Sequence, residues 1–515
     1  MSIPLAIEAA VPTPAVSLPA VAGRGIAFDT TAVDLTSAGY AEKEYFFAGN
    51  AQAYTNSQLL GTNGVWTVAD GPSTPYVSRM LVRTPTDPAR FNGTVLVEWL
   101  NVSGGVDAAA EWDYSHVELL REGYAWVGVT TQFAGAQFLH EFDSDRYASI
   151  QHPGDSWSYD IFSQAGMALL HGNPRPLGAL TPRVRSLIAE GESQSAARMI
   201  TYYNAIQPVA GVYQGFLIHS AGAGAALSQS IAGAGVLGNP SFPKPDGVPA
   251  TPDIAVPPTS FLRGDLQQPV LFFETETDVS VLGEGFSLHN QPDSRTFRLW
   301  EVAGTTHADS YLLKWAAADA AQSGLPSSAF NCGSPPTNNG PDETFGIRAA
   351  TRAISLWTRF PEISPAKAPR LSVQVVTSPT PAAVIQRDPA TGDAIGGIRL
   401  PAVAVPIETL SGIRPPAAVA ANPTCILFGA ASPWDGGTDS WDGVAGIDPA
   451  PTPPPSLARL YHSKSDYVIR YEFATLESVL ERFALPEDAS EMIELARDAS
   501  VPQGSASNAA IVPDP

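Results

Sequence analysis

Cysteine is nearly absent from this chain of 515 residues: only Cys332 and Cys425 occur. Neither belongs to a Cys-x-x-Cys pair, and no His/Cys cluster has zinc-ligand spacing, which argues against a zinc site. The two thiols leave open a single disulfide or two separate buried side chains. Basic charge is also scarce. Lys and Arg number 29 against 51 Asp and Glu, for a formal net charge of -22. Such a surface repels phosphate backbones and anionic lipid, so nucleic acid and membrane are not expected partners. No apolar run reaches the about 18 residues that a membrane span needs. The first twenty residues lack a basic start and carry Pro4, Pro12, Pro14 and Pro19. They do not read as a signal peptide, so the expectation is a cytosolic protein or one whose leader has been removed.

What is present is ordinary globular material. Hydrophobic residues make up 44% and charged residues 16%, enough to bury large cores. The length allows two to four units of about 150 residues each. The 44 glycines and 47 prolines predict many turns and long surface connections.

One stretch organises the rest. Leu187 to Ala189 reads as a buried strand that Gly191 breaks, and Ala196, Met199, Ile200 and Tyr203 then recur at helical spacing. Ser193 therefore sits in a strand-to-helix turn, within Gly191-Glu-Ser-Gln-Ser195. This is the context of a nucleophile elbow, in which a sharp turn lifts a serine hydroxyl above a sheet edge. Gly191 is small, and Ser195 is small where a second glycine usually stands. The competing reading is a polar helix start, with Ser193 or Ser195 as N-cap.

Strands and helices alternate around this turn. Strands are expected at Thr94–Asn101, Tyr124–Thr131, Gly215–Ser220, Gln268–Phe273 and Thr296–Val302. Helices are expected at Glu111–Glu122, closed by Gly123, and at Tyr159–Leu170, with cap-type residues at Asp155–Ser158. That alternation predicts an α/β fold with a mostly parallel central sheet and helices on both faces. Residues 1–80 read as a β-rich lead-in, 81–320 as the core and 321–500 as C-terminal additions. Within the core, 221–264 is rich in Ala, Gly and Pro and reads as a lid. Helices follow at Tyr311–Ala320 and Phe345–Trp357, and Leu476, Val479, Leu480 and Phe483 form a later helical stripe. Residues 501–515 read as a disordered tail.

Acyl transfer by serine needs a base and an acid that orients it. In an elbow fold they follow in the order serine, acid, histidine, each at a strand end. This chain has that order. The strand Pro269–Phe273 runs into Glu274, Glu276 and Asp278, and register favours Asp278, with Glu276 close enough to replace it. The strand ending at Val302 leads through Gly304 to His307, the preferred base among eight histidines. His152 is the runner-up and His219 a packed strand-end histidine. An oxyanion hole needs two backbone N–H donors. Gln194 should supply one and the loop Asn101–Gly105, through Val102, the other. Asn101, Ser103 and Glu192 flank these donors and are expected to line the substrate site.

The long segments around these residues resemble a known group. They are Val97–Gly105, His152–Ser156, Tyr159–Gln164, Gly191–Ser195, Glu274–Asp278, Trp300–Asp309, Ile398–Pro401 and Cys425–Gly429. Together they resemble the large α/β-hydrolase-domain proteins with a Gly-Glu-Ser-Gln-Ser elbow, a family that includes cephalosporin-esterase-like enzymes. The resemblance implies the α/β-hydrolase fold and a carboxylic ester hydrolase with Ser193 as nucleophile, His307 as base and Asp278 or Glu276 as acid. It implies a small-molecule ester substrate and no metal or organic cofactor. It also makes a Cys332–Cys425 disulfide a reasonable tether of the C-terminal part to the core. Amide or β-lactam hydrolysis, acyl transfer to an alcohol, and a non-catalytic binding role on the same fold stay open as alternatives.

Overall fold

Val95, Val97 and Trp99 alternate with Leu96 along one strand, and all four are fully buried. The same holds for Leu187 to Ala189, Phe216 to Ile218 and Val270 to Phe273. Alternate side chains enter two different hydrophobic clusters, one on each side of the strand. Strands buried on both faces belong to a sheet covered by helices on both sides.

The computed structural model of the chain describes residues 11–501 apart from 20–22, 222–253, 282–287, 327–331, 334, 377–381, 415–418, 420–421 and 435–456. Among the described residues nine strands form one sheet: β1 (Ala15–Ser17), β2 (Tyr40–Thr55), β3 (Ala69–Pro85), β4 (Thr94–Trp99), β5 (Ala125–Val129), β6 (Ser186–Glu192), β7 (Gly215–His219), β8 (Val270–Thr275) and β9 (Phe297–Val302). Their order is β1-β2-β3-β5-β4-β6-β7-β8-β9. The first three are antiparallel to their neighbours, and all pairs from β5 to β9 are parallel. On one face lie α1 (Ala110–Glu122), with Trp112 and Leu119, and the helix Asp342–Arg359, with Phe345, Ile354 and Trp357. On the other lie α3 (Ser158–His171), with Ile161 and Phe162, and α4 (Gln194–Thr201), with Met199 and Ile200. Between β5 and α3 runs α2 (Phe133–Phe142), which the sequence pattern did not single out.

Three sequence expectations need correction. The boundary at residue 80 falls inside β3, because Met80 pairs with Val129 of β5 and enters the same core cluster as Val97. The lead-in is the antiparallel edge of the central sheet. The boundary at residue 320 also fails, because the helix Asp342–Arg359 packs on β6 to β9 and belongs to the core. Gly191 does not break β6: it pairs with Ile218, and Glu192 with His219.

Beyond that helix the chain forms two small antiparallel pairs, β10 (Val373–Val376) with β11 (Ala382–Ile385) and β12 (Glu408–Ser411) with β13 (Ala430–Pro433). The helices Lys464–Leu480 and Ala489–Asp498 follow. Arg121, Arg348 and Arg352 reach the turn between them through ion pairs to Asp488 at 2.6 and 3.2 Å and to Glu487 at 2.8 Å. The expected helical stripe is split: Phe483 is buried and Val479 packs against the same core cluster, but its two leucines face outward. Leu476 and Leu480 are 53% and 83% exposed, while Tyr467, Tyr471 and Met492 are buried. The tyrosine rings claim the inner face, with Tyr467 stacked edge-on to Tyr461 at 5.1 Å. Cys332 and Cys425 form a disulfide.

Most of the expected lid, 222–253, and the expected tail, 502–515, lie outside the described residues. The described end of the lid segment is tied down. Phe261 N–H donates to the Thr62 carbonyl at 2.8 Å, and Arg263 Nη1 donates to the Asn204 carbonyl at 2.7 Å. No helix among the described residues is long and apolar enough to cross a membrane.

Ile188 sits at the sheet centre, paired between β4 and β7, with no exposed surface. Ile188→Ala should cost about 2–5 kcal/mol of stability by lost burial plus a cavity, read in denaturant unfolding. A loss under about 1 kcal/mol would contradict the packing described.

Candidate active site

β6 ends at Glu192 and α4 starts at Gln194, so the whole reversal falls on Ser193. Its backbone is held at φ 60° and ψ -119°, a costly conformation for any residue but glycine. The turn is tight because a side chain at Gly191 would meet the Ser195 Cβ at 3.0 Å and its carbonyl carbon at 3.1 Å. A side chain at position 191 would therefore crowd the first turn of α4. Ser193 N–H donates to the His219 carbonyl at 2.9 Å, which pins the turn to β7. Ser193 occupies the N-cap position but its side chain makes no capping bond. The hydroxyl goes instead to His307, with Oγ 2.7 Å from Nε2. The N-cap reading thus fails at the hydroxyl.

His307 follows β9 through a turn at Gly304, which has φ 74°, a left-handed value natural to glycine. Asp309 then caps the helix Ser310–Gln322, accepting the Leu312 N–H at 2.8 Å. His307 Nδ1 lies 2.6 Å from Asp278 Oδ1. The other Asp278 oxygen accepts from Thr275 N–H at 2.8 Å and from the Thr275 hydroxyl at 2.5 Å. The carboxylate is thus aimed by a capping box on the short helix Glu276–Ser280. Burial opposes a proton on His307, but the charge and hydrogen bond of Asp278, aided by Glu192 and Glu343, outweigh it and raise its pKa. Burial likewise opposes charge on Asp278, and His307 and Thr275 overcome it and lower its pKa.

Glu276 turns the other way. One of its oxygens accepts Gly304 N–H at 2.6 Å; the other accepts Gly412 N–H at 3.0 Å and pairs with Arg387 Nη2 at 2.8 Å. It braces the histidine turn against the C-terminal region rather than facing His307. More of that region closes on the same turn. The Leu427 carbonyl accepts Ala308 N–H at 3.0 Å and the Thr306 hydroxyl at 2.9 Å, two residues from Cys425.

The remaining candidates separate cleanly. His152 is spent on the Thr131 carbonyl at 2.7 Å and the Gly154 N–H at 3.2 Å. His219 lies buried between Glu111 at 3.2 Å and Glu343 at 3.5 Å. Burial opposes its proton, yet those two carboxylates hold its pKa well above the usual range. Asn101 does not face outward as a substrate contact. Its Nδ2 donates to the Glu192 carbonyl at 3.0 Å and to Glu192 Oε2 at 2.9 Å, and its Oδ1 accepts Ser103 N–H at 2.6 Å. Ser103 N–H is thereby used, while the neighbouring Val102 N–H has no hydrogen-bond partner among the described residues. Gln194 N–H belongs to the first turn of α4, where backbone donors have no partner within the helix. Burial pushes the Glu192 carboxyl up to about 7, against the lowering effect of His307.

The family model described as alpha/beta hydrolase domain matches residues 10–494. The chain belongs to the alpha/beta hydrolase domain family. No curated protein matches it. Among solved structures, an a/b serine hydrolase without lid from Xanthomonas campestris is 10% identical, with a TM-score of 0.26 over 55% of this chain and 97% of that one. A glucuronoyl esterase from Solibacter usitatus is also 10% identical, with a TM-score of 0.25 over 57% and 82%. Oligopeptidase B from Leishmania major is 10% identical, with a TM-score of 0.30 over 56% and 36%. Likenesses this distant say nothing of what this hydrolase-domain chain acts on.

Sequence reasoning missed Glu343, Glu111, Thr275 and Arg387 in this alpha/beta hydrolase domain. Glu343 accepts Thr306 N–H at 3.3 Å, one residue from His307, yet it enters from a helix beyond the expected core boundary. Thr275 was findable, since Thr-x-x-Asp is a helix-start pattern.

Removing the Glu276 charge would weaken its contacts with the Arg387 guanidinium and with the Gly304 and Gly412 N–H groups. Glu276→Gln should therefore destabilise the fold by about 1–3 kcal/mol, measured by denaturant unfolding. An unchanged midpoint would contradict the bracing role.

Proposed function

We propose that this chain is a serine hydrolase that cleaves carboxylic esters through an acyl-enzyme, with Ser193 as nucleophile, His307 as base and Asp278 as acid. The observation that carries the reading is the single line of contacts from Ser193 Oγ to His307 Nε2 at 2.7 Å and from His307 Nδ1 to Asp278 Oδ1 at 2.6 Å. His307 takes the Ser193 proton at Nε2 as Oγ bonds to the ester carbonyl carbon, and the carbonyl electron pair moves onto oxygen. The N–H groups of Gln194 and Val102 meet that oxyanion. Collapse expels the alcohol, which takes the proton from Nε2, and water repeats the sequence on the acyl-enzyme. Asp278 fixes the tautomer and offsets the imidazolium charge, helped by its own lowered pKa. The resemblance to cephalosporin-esterase-like enzymes supports an ester substrate.

Matched ester and amide substrates test the reading. The wild type should hydrolyse the ester faster, and Ser193→Ala should abolish turnover. Asp278→Asn should lower kcat about 10⁴-fold by losing the productive tautomer. Equal rates in wild type and Ser193→Ala would reject the mechanism, and faster amide cleavage would reject the substrate class.

The base works only when neutral. A raised His307 pKa means turnover is full at alkaline pH and falls as pH drops through that pKa. The acid-side midpoint of kcat/KM should therefore lie above 6.5, the ordinary imidazole value. A midpoint at or below 6.5 would contradict the electrostatics described.

A further inference from the structure

A second carboxylate reaches the reacting edge of His307. Glu192 Oε1 lies 3.5 Å from Nε2, and both side chains are nearly closed to solvent, at 6% and 4% exposure. The orientation is fixed from behind. Asn101 Nδ2 holds Glu192 Oε2 at 2.9 Å and the Glu192 carbonyl at 3.0 Å, so Oε1 is the oxygen turned to the imidazole. Glu192 is also the last residue of β6, paired with His219, so its backbone cannot drift.

We infer that Glu192 is an electrostatic positioning residue, which rests on the serine-hydrolase reading: its carboxylate faces the Nε2 edge of His307 and stabilises the imidazolium formed when Ser193 gives up its proton. Asp278 faces the opposite nitrogen at 2.6 Å, so the cation forms between two carboxylates. Distance decides where the proton stays. Ser193 Oγ is 2.7 Å from Nε2 and Glu192 Oε1 is 3.5 Å, so Nε2–H serves the serine and the leaving alcohol and is not captured by Glu192. Both side chains are buried, so the attraction is weakly screened.

Other charges face the pair, and none replaces Glu192. Asp278 comes from the short helix after β8 and Glu343 from the helix Asp342–Arg359. His219 stands at the end of β7 and Glu111 on α1. Tyr114 of α1 also faces this group of acids. Glu343 contacts His219 and the Thr306 N–H, whereas Glu192 is the carboxylate at Nε2. A carboxyl pushed up to about 7 by burial makes the effect pH-dependent, present when Glu192 is ionised and lost when it is protonated.

Glu192→Gln keeps the shape and an oxygen for Asn101 but removes the charge. It should lower kcat about tenfold with KM little changed, and move the acid-side midpoint down by about one pH unit, as loss of a close opposite charge requires. Glu192→Ala should show the same kcat loss and pH shift, whereas a purely structural role would reduce ester affinity or stability and leave the midpoint in place. Unchanged kcat and midpoint in Glu192→Gln, with Ser193→Ala inactive beside it, would overturn this inference and leave the serine-hydrolase reading standing. An inactive wild type would remove that reading and this inference together. If neither variant folds, proton NMR of the His307 Nδ1–H in the wild type decides. Two inflections, one from each group, support the pairing, and a single inflection overturns it.

Discussion

The backbone of Ser193, held at φ 60° and ψ -119°, is the constraint on which the site depends. A conformation that unfavourable persists only when its surroundings leave no alternative. Here three things remove the alternatives. β6 pairs with β7 up to Glu192, α4 begins one residue after Ser193, and Gly191 lies so close to Ser195 that an added side chain at 191 would crowd it. The serine hydroxyl is therefore presented at the carboxyl edge of the sheet without a capping bond to spend it on. The histidine and the acid arrive at the same edge because β9 and β8 run parallel to β6 in the same sheet. Parallel strands bring their carboxyl ends together, which is why residues 193, 278 and 307 meet.

Rigidity at that edge comes from outside the central sheet. The turn carrying His307 would otherwise be a short exposed loop. Glu276 and the Leu427 carbonyl bind its backbone, and the Asn338 side chain donates to the Gly304 carbonyl at 2.8 Å and the Ser411 carbonyl at 3.1 Å. The Cys332–Cys425 disulfide sits two residues from Leu427, in the same buried cluster as Phe345. The C-terminal region thus holds the His307 turn in place as well as covering the core. Electrostatics add a second layer. Glu111, Glu192, Glu343 and Asp278 surround two histidines, so positive charge is welcome on His307 and His219 although both are buried.

The strand-to-helix turn at Ser193 was legible because its signals are local: an apolar strand, a small residue, a serine and a helical repeat within about twenty positions. The parallel sheet was legible for the same reason, since strands and helices alternated with clear periods. The choice between Asp278 and Glu276 was less so. Both follow the same strand in one short helix, and what separates them is Arg387, more than a hundred positions away in sequence. The boundary at residue 80 misled because β3 is polar and Pro-containing at its start and apolar at its end, where it joins the core. Leu476 and Leu480 misled because helical spacing identifies a stripe but not the face that a neighbour covers. Asn101 read as a substrate contact because an asparagine beside a Gly-rich loop carries no sign that its amide is already engaged by Glu192.

The most direct test of the central claim is covalent labelling with a fluorophosphonate, followed by peptide mass mapping. The account predicts one adduct, on the peptide that carries Ser193, and none after Ser193→Ala. An adduct on another serine, or no adduct on folded wild type in mild detergent, would contradict it.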